Sequence, residues 1–557
     1  MKSAVCSELS KPAPSQLVGL ETEYGIRVKP KASNARPSNS DIFDWLLRYV
    51  RGKVPVAPSI SNWEQGPYAW FTANGGSLRF ERLPVLGAVV AKSGVVEGAT
   101  PECLSARQLL LYQRAQDALL SQAAAASGGP RCKVALVKNN ADAHGSVFSS
   151  HENYDAEIAN GLAFFFWRIG LVAVMVPTAL AAECIAAFVL ILALILYVPA
   201  WLADRKTERF VRWWERGTLI LISVLLTPVF LVSNLYFRHL AFRRQRKALL
   251  AFLVTRQVFA GAGYVLPNGN LVLSARVQAI GSLISSASEA SRPVFLFGHV
   301  LKATSFLILG NTSRYRSLFQ QRQRLQIAVG DSNMAQTAEY LKIGTTQLVL
   351  AAIEAGDLES PPRLRHPLSA LRNFSRDLDL TTKAKLANGR CLTMLQIQRD
   401  YWAACRRYVD RVCPGRHEPE DLLTRWGQTL DDLEENPELL FGRVDWITKR
   451  LLLETGDPLP IAARRKLDAQ YHELSREGGY IQLEAAGAAP TIVEPEEVLQ
   501  AIQQPPPGTR AAARGQLIRE NGQMGTHRVS LRIGWSHALK GQGANREVFP
   551  LQEPPSN

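Results

Sequence analysis

The segment GLETEYG, residues 19–25, sets two carboxylates, Glu21 and Glu23, two positions apart behind the apolar lead-in Leu17–Val18. In an extended chain alternate side chains share a face, so both acids point one way while Thr22 and Tyr24 point the other. Like charges held side by side repel, and a divalent cation between hard oxygen ligands is the usual chemistry that resolves the repulsion. A solvated face of an edge strand is the other reading that seven residues leave open.

A site of that kind needs rigid elements around it. The pattern of the chain is mixed α and β: strand-like runs at 134–137 and 326–329 alternate with helical periodicity at 337–354, 392–410 and 418–436. The stretch AQTAEYLKIGTTQLVLAAIEAG has apolar residues at helical spacing and ends at Gly356. QQPPPGTRAAARG, 503–515, reads as a linker leading into a helix, and a small C-terminal unit is expected from about 490 onward. At 557 residues the chain is long enough for several packed units. Its net charge of +15 suits an anionic partner. Zinc-finger spacing and basic–aromatic interleaving are both missing, which argues against nucleic acid. Seven scattered cysteines without a CxxC pair, and sixteen opening residues without the apolar core of a signal peptide, fit a reducing, cytoplasmic setting.

One region departs from that picture. Residues 169–203 carry a single charged side chain, Glu183, over thirty-five positions, and 217–237 carry none. A spanning helix needs about 20 apolar residues, so both runs are long enough to cross a bilayer. Pro177 is the expected break in the first, and two spans, near 180–203 and 217–237, are the expected arrangement. Arg238, Arg243, Arg244, Arg246 and Lys247 would then lie on the cytoplasmic side. The segment between the runs is also basic, with Arg205, Lys206, Arg209, Arg212 and Arg216, and leaves the number of spans open.

Nine stretches follow one another in an order that resembles the Pup ligases and the related Pup deamidase/depupylases of bacterial proteasome systems. Besides GLETEYG they are KNNADAHGSVFSSHENY (138–154), LVTRQVFAGAG, SSASEASRP, VGDSNMAQTAEYLKIGTTQLVL, LQIQRDY, VDWITKR, LDAQYHE and TRAAARG. They cover nearly the whole chain outside about 160–250. The resemblance implies an α+β, glutamine-synthetase-like fold whose curved antiparallel sheet cradles ATP and magnesium, with a small C-terminal domain. It implies phosphorylation of the C-terminal glutamate of a Pup-like tag protein, then transfer to a lysine of a protein substrate, or, in the depupylases, cleavage of such a bond. Activating a carboxylate through phosphoryl transfer needs cations on the phosphates, and the lysine needs a base. The expected domains are a flexible 1–16, a catalytic domain from 17–160 and 251–489, a membrane insert at 161–250, and 490–557.

Carried over by position, the resemblance makes Glu21 and Glu97 magnesium ligands, with Glu23 and His151 as further candidates. Thr100 and Trp535 fall at nucleotide contacts. In NGGSLRFE, Ser77 stands where the family has an ATP-binding arginine, Arg79 where it has a metal-binding tyrosine, and Glu81 where it has the catalytic aspartate. The family's charged loop is also replaced here, by an apolar run and NTSRYRSLF. Glu81 keeps a base at the position; Arg79 brings a positive charge into, or in place of, the metal. An active ligase, a depupylase and a membrane-anchored inactive relative that binds tag or nucleotide are all compatible with these residues.

Overall fold

A computed structural model of the chain describes residues 16–30, 36–60, 69–81, 94–127, 132–138, 141, 148, 150–202, 208–285, 292–305, 312–358, 360–522, 531–541 and 547–551. The first element is the thirteen-residue strand β1 (Val18–Pro30), followed by helix α1 (Asn39–Arg51). A capping box between Ser38 and Asp41 satisfies the opening N–H groups of α1. Next come β2 (Val56–Pro58), β3 (Ala69–Thr72), β4 (Ser77–Glu81), β5 (Val95–Ala99), helix α2 (Ala106–Ala126), β6 (Cys132–Val137) and β7 (Ser150–Glu157). The turn from β3 to β4 uses Gly75 at φ +83°, a left-handed conformation that costs glycine nothing.

Strands β8 (Tyr264–Val265) and β9 (Leu271–Val272) form a separate hairpin, and β10 (Ser282–Ser285), β11 (Pro293–Leu296) and β12 (Arg322–Ile327) complete the main sheet. Its order is β10-β11-β12-β7-β1-β5-β4-β3-β2, antiparallel except between β10 and β11. β1 is the hub: residues 18–24 pair with β7 or β5, while its outer half pairs with β6. β12 lies a little before the expected 326–329.

The period-two pattern of the strands divides the sheet into two unlike faces. Along β7 buried and half-buried residues alternate strictly. One face, carrying Tyr24, Val96, Tyr154, Leu325 and Ile327, packs into the main apolar core with α2 and the helix Gln336–Ala355. That helix and its neighbours Met394–Val412 and His417–Glu435 lie where periodicity placed them, and Gly356, at φ +88°, ends the first. Beyond the hairpin β13–β14 (Lys383–Lys385, Cys391–Thr393), the chain finishes with the helix Arg510–Asn521 and a three-stranded sheet. That sheet is β15 (Leu531–Ile533), β16 (His537–Lys540) and β17 (Glu547–Pro550). Its apolar face shares a small core with Ala57, Phe71 and Ala73.

The apolar region leaves the body after β7 as helix α3 (Gly161–Gly170), a π turn (Leu171–Met175) and helix α4 (Val176–Leu202). It returns as α5 (Glu208–His239), and α6 (Arg243–Thr255) re-enters the core. The Phe242 N–H donates to the Ile158 carbonyl at 2.6 Å, so the excursion begins and ends at one place. The expected break at Pro177 is absent. Proline lacks the N–H that would close the turn before it, and the wider π turn accommodates the missing bond without ending the helix. The apolar stretches are Gly161–Leu192 and Arg216–His239, each containing 18 consecutive residues of mean hydropathy 2.2, so the first begins well before the expected position 180.

At the root the helices are bolted to the body. Trp167 stacks on Tyr236 with centroids 5.0 Å apart, and the Tyr236 hydroxyl donates to the Trp167 carbonyl at 2.6 Å. Trp167 donates to the Leu318 carbonyl, and Phe237 stacks on Phe297. Gly170 is required there, because a Cβ would lie 2.1 Å from the Tyr236 ring. Farther out, large apolar side chains such as Phe188, Leu190, Ile220 and Val224 are exposed.

Candidate active site

The second face of the main sheet carries polar side chains, and strand register lines them up in rows. Glu23 on β1 lies opposite Glu97 on β5, which lies opposite Arg79 on β4. Two residues along, His151 on β7 lies opposite Glu21, which faces Ala99 and then Ser77. Arg324 on β12 reaches across β7 to hold Glu21 at 2.8 Å and the Asn153 side-chain oxygen at 2.6 Å. A cavity of about 590 Å³ lies over these residues, a size suited to a nucleotide or similar ligand. Glu21, Ser77, Arg79, Glu81, Glu97, Thr100, His151, Arg324 and Trp535 all line it.

The acids fall into two sets. Carboxylate oxygens of Glu23, Glu81 and Glu97 lie within 4.8 Å of one another. Glu21 instead turns to Arg324, to the Gln326 side-chain amide at 3.3 Å and to His151 Nδ1 at 3.7 Å. Burial alone would raise the Glu21 pKa, but Arg324, His151 and Arg79 together hold it well below the usual carboxylate range. Arg79 Nη2 donates to Glu97 Oε1 at 2.5 Å. Burial would weaken the Arg79 charge, but Glu97, Glu21 and Glu81 keep its guanidinium firmly protonated. Burial and the carboxylates Glu81, Glu21 and Glu23 push Glu97 upward against the pull of Arg79.

This donor set fits one hard divalent cation at Glu23, Glu81 and Glu97, all oxygen ligands. Between Glu97 and Glu21 the positive charge comes from the protein itself, through Arg79. Of the residues picked out by position, Glu23, Glu81 and Glu97 come together, while Glu21 and His151 form a neighbouring pair.

The far wall is built by the C-terminal unit. Trp535 meets Phe71 edge to face, with centroids 5.1 Å apart, and the Arg514 guanidinium carbon lies 4.7 Å over its indole. Arg514 is fully buried, donates to the Gly75 and Trp535 carbonyls and pairs with Glu102, so it ties the wall to the β3–β4 turn. The Thr100 hydroxyl accepts the Leu20 N–H at 3.0 Å and keeps its hydrogen and second lone pair for another partner. Ser77 is buried at the cavity wall.

Sequence reasoning missed Arg324 and Arg514. The signal for Arg324 was the alternation in RQRLQI, which sets Arg322, Arg324 and Gln326 on one face and Leu325 and Ile327 on the other. Other motif residues serve the opposite, helical face. Glu152 in HENY points away from the cavity and is held by Arg256 through two bonds of 2.6 and 2.8 Å. Lys138 pairs with buried Asp117 at 2.9 Å, and Asp117 also accepts from Tyr24. Asp445 accepts from Asn333 and Tyr471, joining three of the recurring stretches in one buried network. Asn139, Asn140, Asn311 and most of SSASEASRP lie outside the described residues.

Fold and site together define an α+β protein whose largely antiparallel sheet presents a carboxylate- and arginine-lined cavity, closed by a small C-terminal unit. The sequence model of the Pup-ligase protein family matches residues 16–539, and the chain belongs to that family. It is 29% identical to the Pup–protein ligase of Acidimicrobium ferrooxidans, over 97% of this chain and 95% of that protein. It is 28% identical to the Pup–protein ligase of Paenarthrobacter aurescens, over 96% and 95% respectively. Among solved structures it resembles the ligase PafA in complex with Pup, at TM-score 0.64 and 21% identity, covering 97% of this chain and 90% of that one. It also resembles PafA in complex with ADP, at TM-score 0.61 and 21% identity, covering 96% and 94%.

Proposed function

We propose that this protein is an ATP- and magnesium-dependent Pup–protein ligase that joins the C-terminal glutamate of a Pup-like tag to lysines of other proteins. The observation that carries the reading is the gathering of Glu23, Glu81 and Glu97 beside Arg79, with Glu81, Glu97 and Arg79 lining the cavity, in a chain matched to the family over residues 16–539. Related proteins named as ligases favour joining over depupylation. ATP, when bound, supplies the phosphoryl group that makes a carboxylate oxygen able to leave. Glu23 and Glu97 would hold magnesium, with Arg324 and Arg79 contributing fixed positive charge to the phosphates. Glu81, in the same carboxylate cluster, would leave magnesium to Glu23 and Glu97 and take the proton from the incoming lysine. Trp535 offers an aromatic wall to the nucleotide. Residues 17–160 and 251–489 act as the catalytic unit, and 490–557 as the small domain that closes it.

The test is magnesium-dependent ADP release by detergent-purified protein, with and without a tag peptide ending in glutamate, beside Glu21→Ala. Tag-stimulated release that is lost in the variant supports the ligase. Nucleotide binding with no turnover would support an inactive receptor instead, the reading that Arg79 favours.

The apolar excursion between Ile158 and Phe242, within the expected insert at 161–250, we read as an anchor of two spans that holds the catalytic unit at the cytoplasmic face of a membrane. Its adjacent ends require an even number of crossings, and its exposed leucines, isoleucines and phenylalanines need an apolar solvent. Resistance to carbonate extraction is the expected result; release of the intact chain would overturn the anchor.

A further inference from the structure

A second cavity, of about 520 Å³, lies at the root of the apolar hairpin, remote from the carboxylate cluster. Asn160 and Ala163 at the start of α3, and Leu240 just past the end of α5, form one wall. Arg243, Arg244, Lys247 and Arg363 line it, against a single lining carboxylate among the described residues, Glu157. Beneath them Arg246 is buried and donates to the carbonyls of Phe237, Arg238 and Ala241, closing the end of α5. Burial, Arg238 and Arg243 push its pKa down to about 10. Lys247 is likewise lowered, by burial and by Arg243, Arg363 and Arg246. Glu157 is itself raised by burial and by Glu354. Among the described residues the pocket therefore gathers like charges that its one lining carboxylate does not balance, and an anion from outside would relieve the repulsion.

Position selects the anion. Leu162, the second residue of α3, is 77% exposed, so apolar surface begins immediately beside the cations. We propose that this pocket binds the phosphate of an anionic membrane lipid headgroup, fixing the depth and orientation of the catalytic unit at the bilayer. The proposal rests on the reading of the hairpin as a membrane anchor. A bilayer surface ending at the roots of α3 and α5 would set its headgroup phosphates level with Arg243, Arg244 and Lys247.

The experiment reconstitutes the full chain into phosphatidylcholine vesicles containing trace spin-labelled phosphatidylglycerol or spin-labelled phosphatidylcholine, and compares the motionally restricted fraction of each label. Flotation with the vesicles is scored in parallel. The expected result is a preference for phosphatidylglycerol on the order of tenfold, since basic side chains at an anionic surface contribute roughly fivefold each before mutual screening. The triple variant Arg243→Gln, Arg244→Gln, Lys247→Gln should float equally well with the preference lost. Flotation without any preference in the native chain would overturn the pocket and leave the anchor standing, whereas failure to float would remove both. A preference abolished by excess inorganic phosphate, with phosphate binding in detergent that the triple variant lacks, would overturn the lipid in favour of a soluble phosphate ligand.

Discussion

Arg79 and Glu97 face each other on adjacent strands, and the guanidinium donates to the carboxylate at 2.5 Å in the middle of the acid cluster. Four carboxylates, Glu21, Glu23, Glu81 and Glu97, share this face of the sheet, and Arg79 feels three of them. Part of the charge that divalent ions would otherwise neutralise is thus supplied by a side chain that cannot dissociate.

Replacing Arg79 should consequently strengthen metal binding. In Arg79→Gln the carboxylates lose their internal cation, and the Mn²⁺ affinity measured by electron paramagnetic resonance should rise by about tenfold or more. Metal-free protein should lose about 3–5 kcal/mol of stability, because Glu97 is left buried without its partner. A metal titration unchanged from the native protein would refute the substitution of guanidinium for metal.

Glu81→Gln keeps the shape of the side chain and removes the base. Conjugate formation should fall by about 10²-fold or more, with nucleotide affinity within a few-fold of native. Equal rates of conjugation in gel assays of the two proteins would assign the base elsewhere.

Glu152 and Arg256 offer a contrast, since they lie on the helical face. Arg256→Ala should destabilise the fold by about 3–5 kcal/mol, seen as a lower melting temperature, by stranding a fully buried carboxylate. Where the variant folds, its KM for ATP should match that of the native protein; a large change in KM would mean that Glu152 reaches the site after all.

His472 makes stability depend on pH. It is buried, accepts a hydrogen bond from the Lys449 ammonium, and is held well below its usual value of 6.5 by burial, Lys449 and Lys138. The unfolded chain therefore binds a proton that the folded chain refuses. The stabilisation is complete above about pH 6.5 and is lost as pH falls below it, by up to about 1.4 kcal/mol per unit. Melting curves from pH 7.5 down to about 5.5 should show that decline, and His472→Gln should flatten it. An equal slope in both proteins would assign the dependence to other groups.

Because Ile158 and Phe242 meet through a hydrogen bond, the hairpin should be separable from the body. A chain lacking residues 160–240, rejoined by a short glycine link, should fold and stay in solution without detergent. Precipitation of this variant, with no cooperative melting, would show that the body depends on the hairpin for its core.

Much of this was legible in the chain itself, and the reason is local. Alternation along GLETEYG and helical periodicity around 337–354 are properties of neighbouring residues, so the elements and the common face of Glu21 and Glu23 followed from period alone. The apolar runs were equally plain, since length and hydropathy are additive along the sequence. The partners of each acid were not legible, because register between strands is set by pairing over long separations. That register puts Glu23 and not Glu21 with Glu81 and Glu97, brings Arg324 to Glu21 across 303 positions, and turns Glu152 to the core while His151 faces the cavity. The residue types capable of chemistry were set by the sequence; which of them act together was decided when β1 took β5 on one side and β7 on the other.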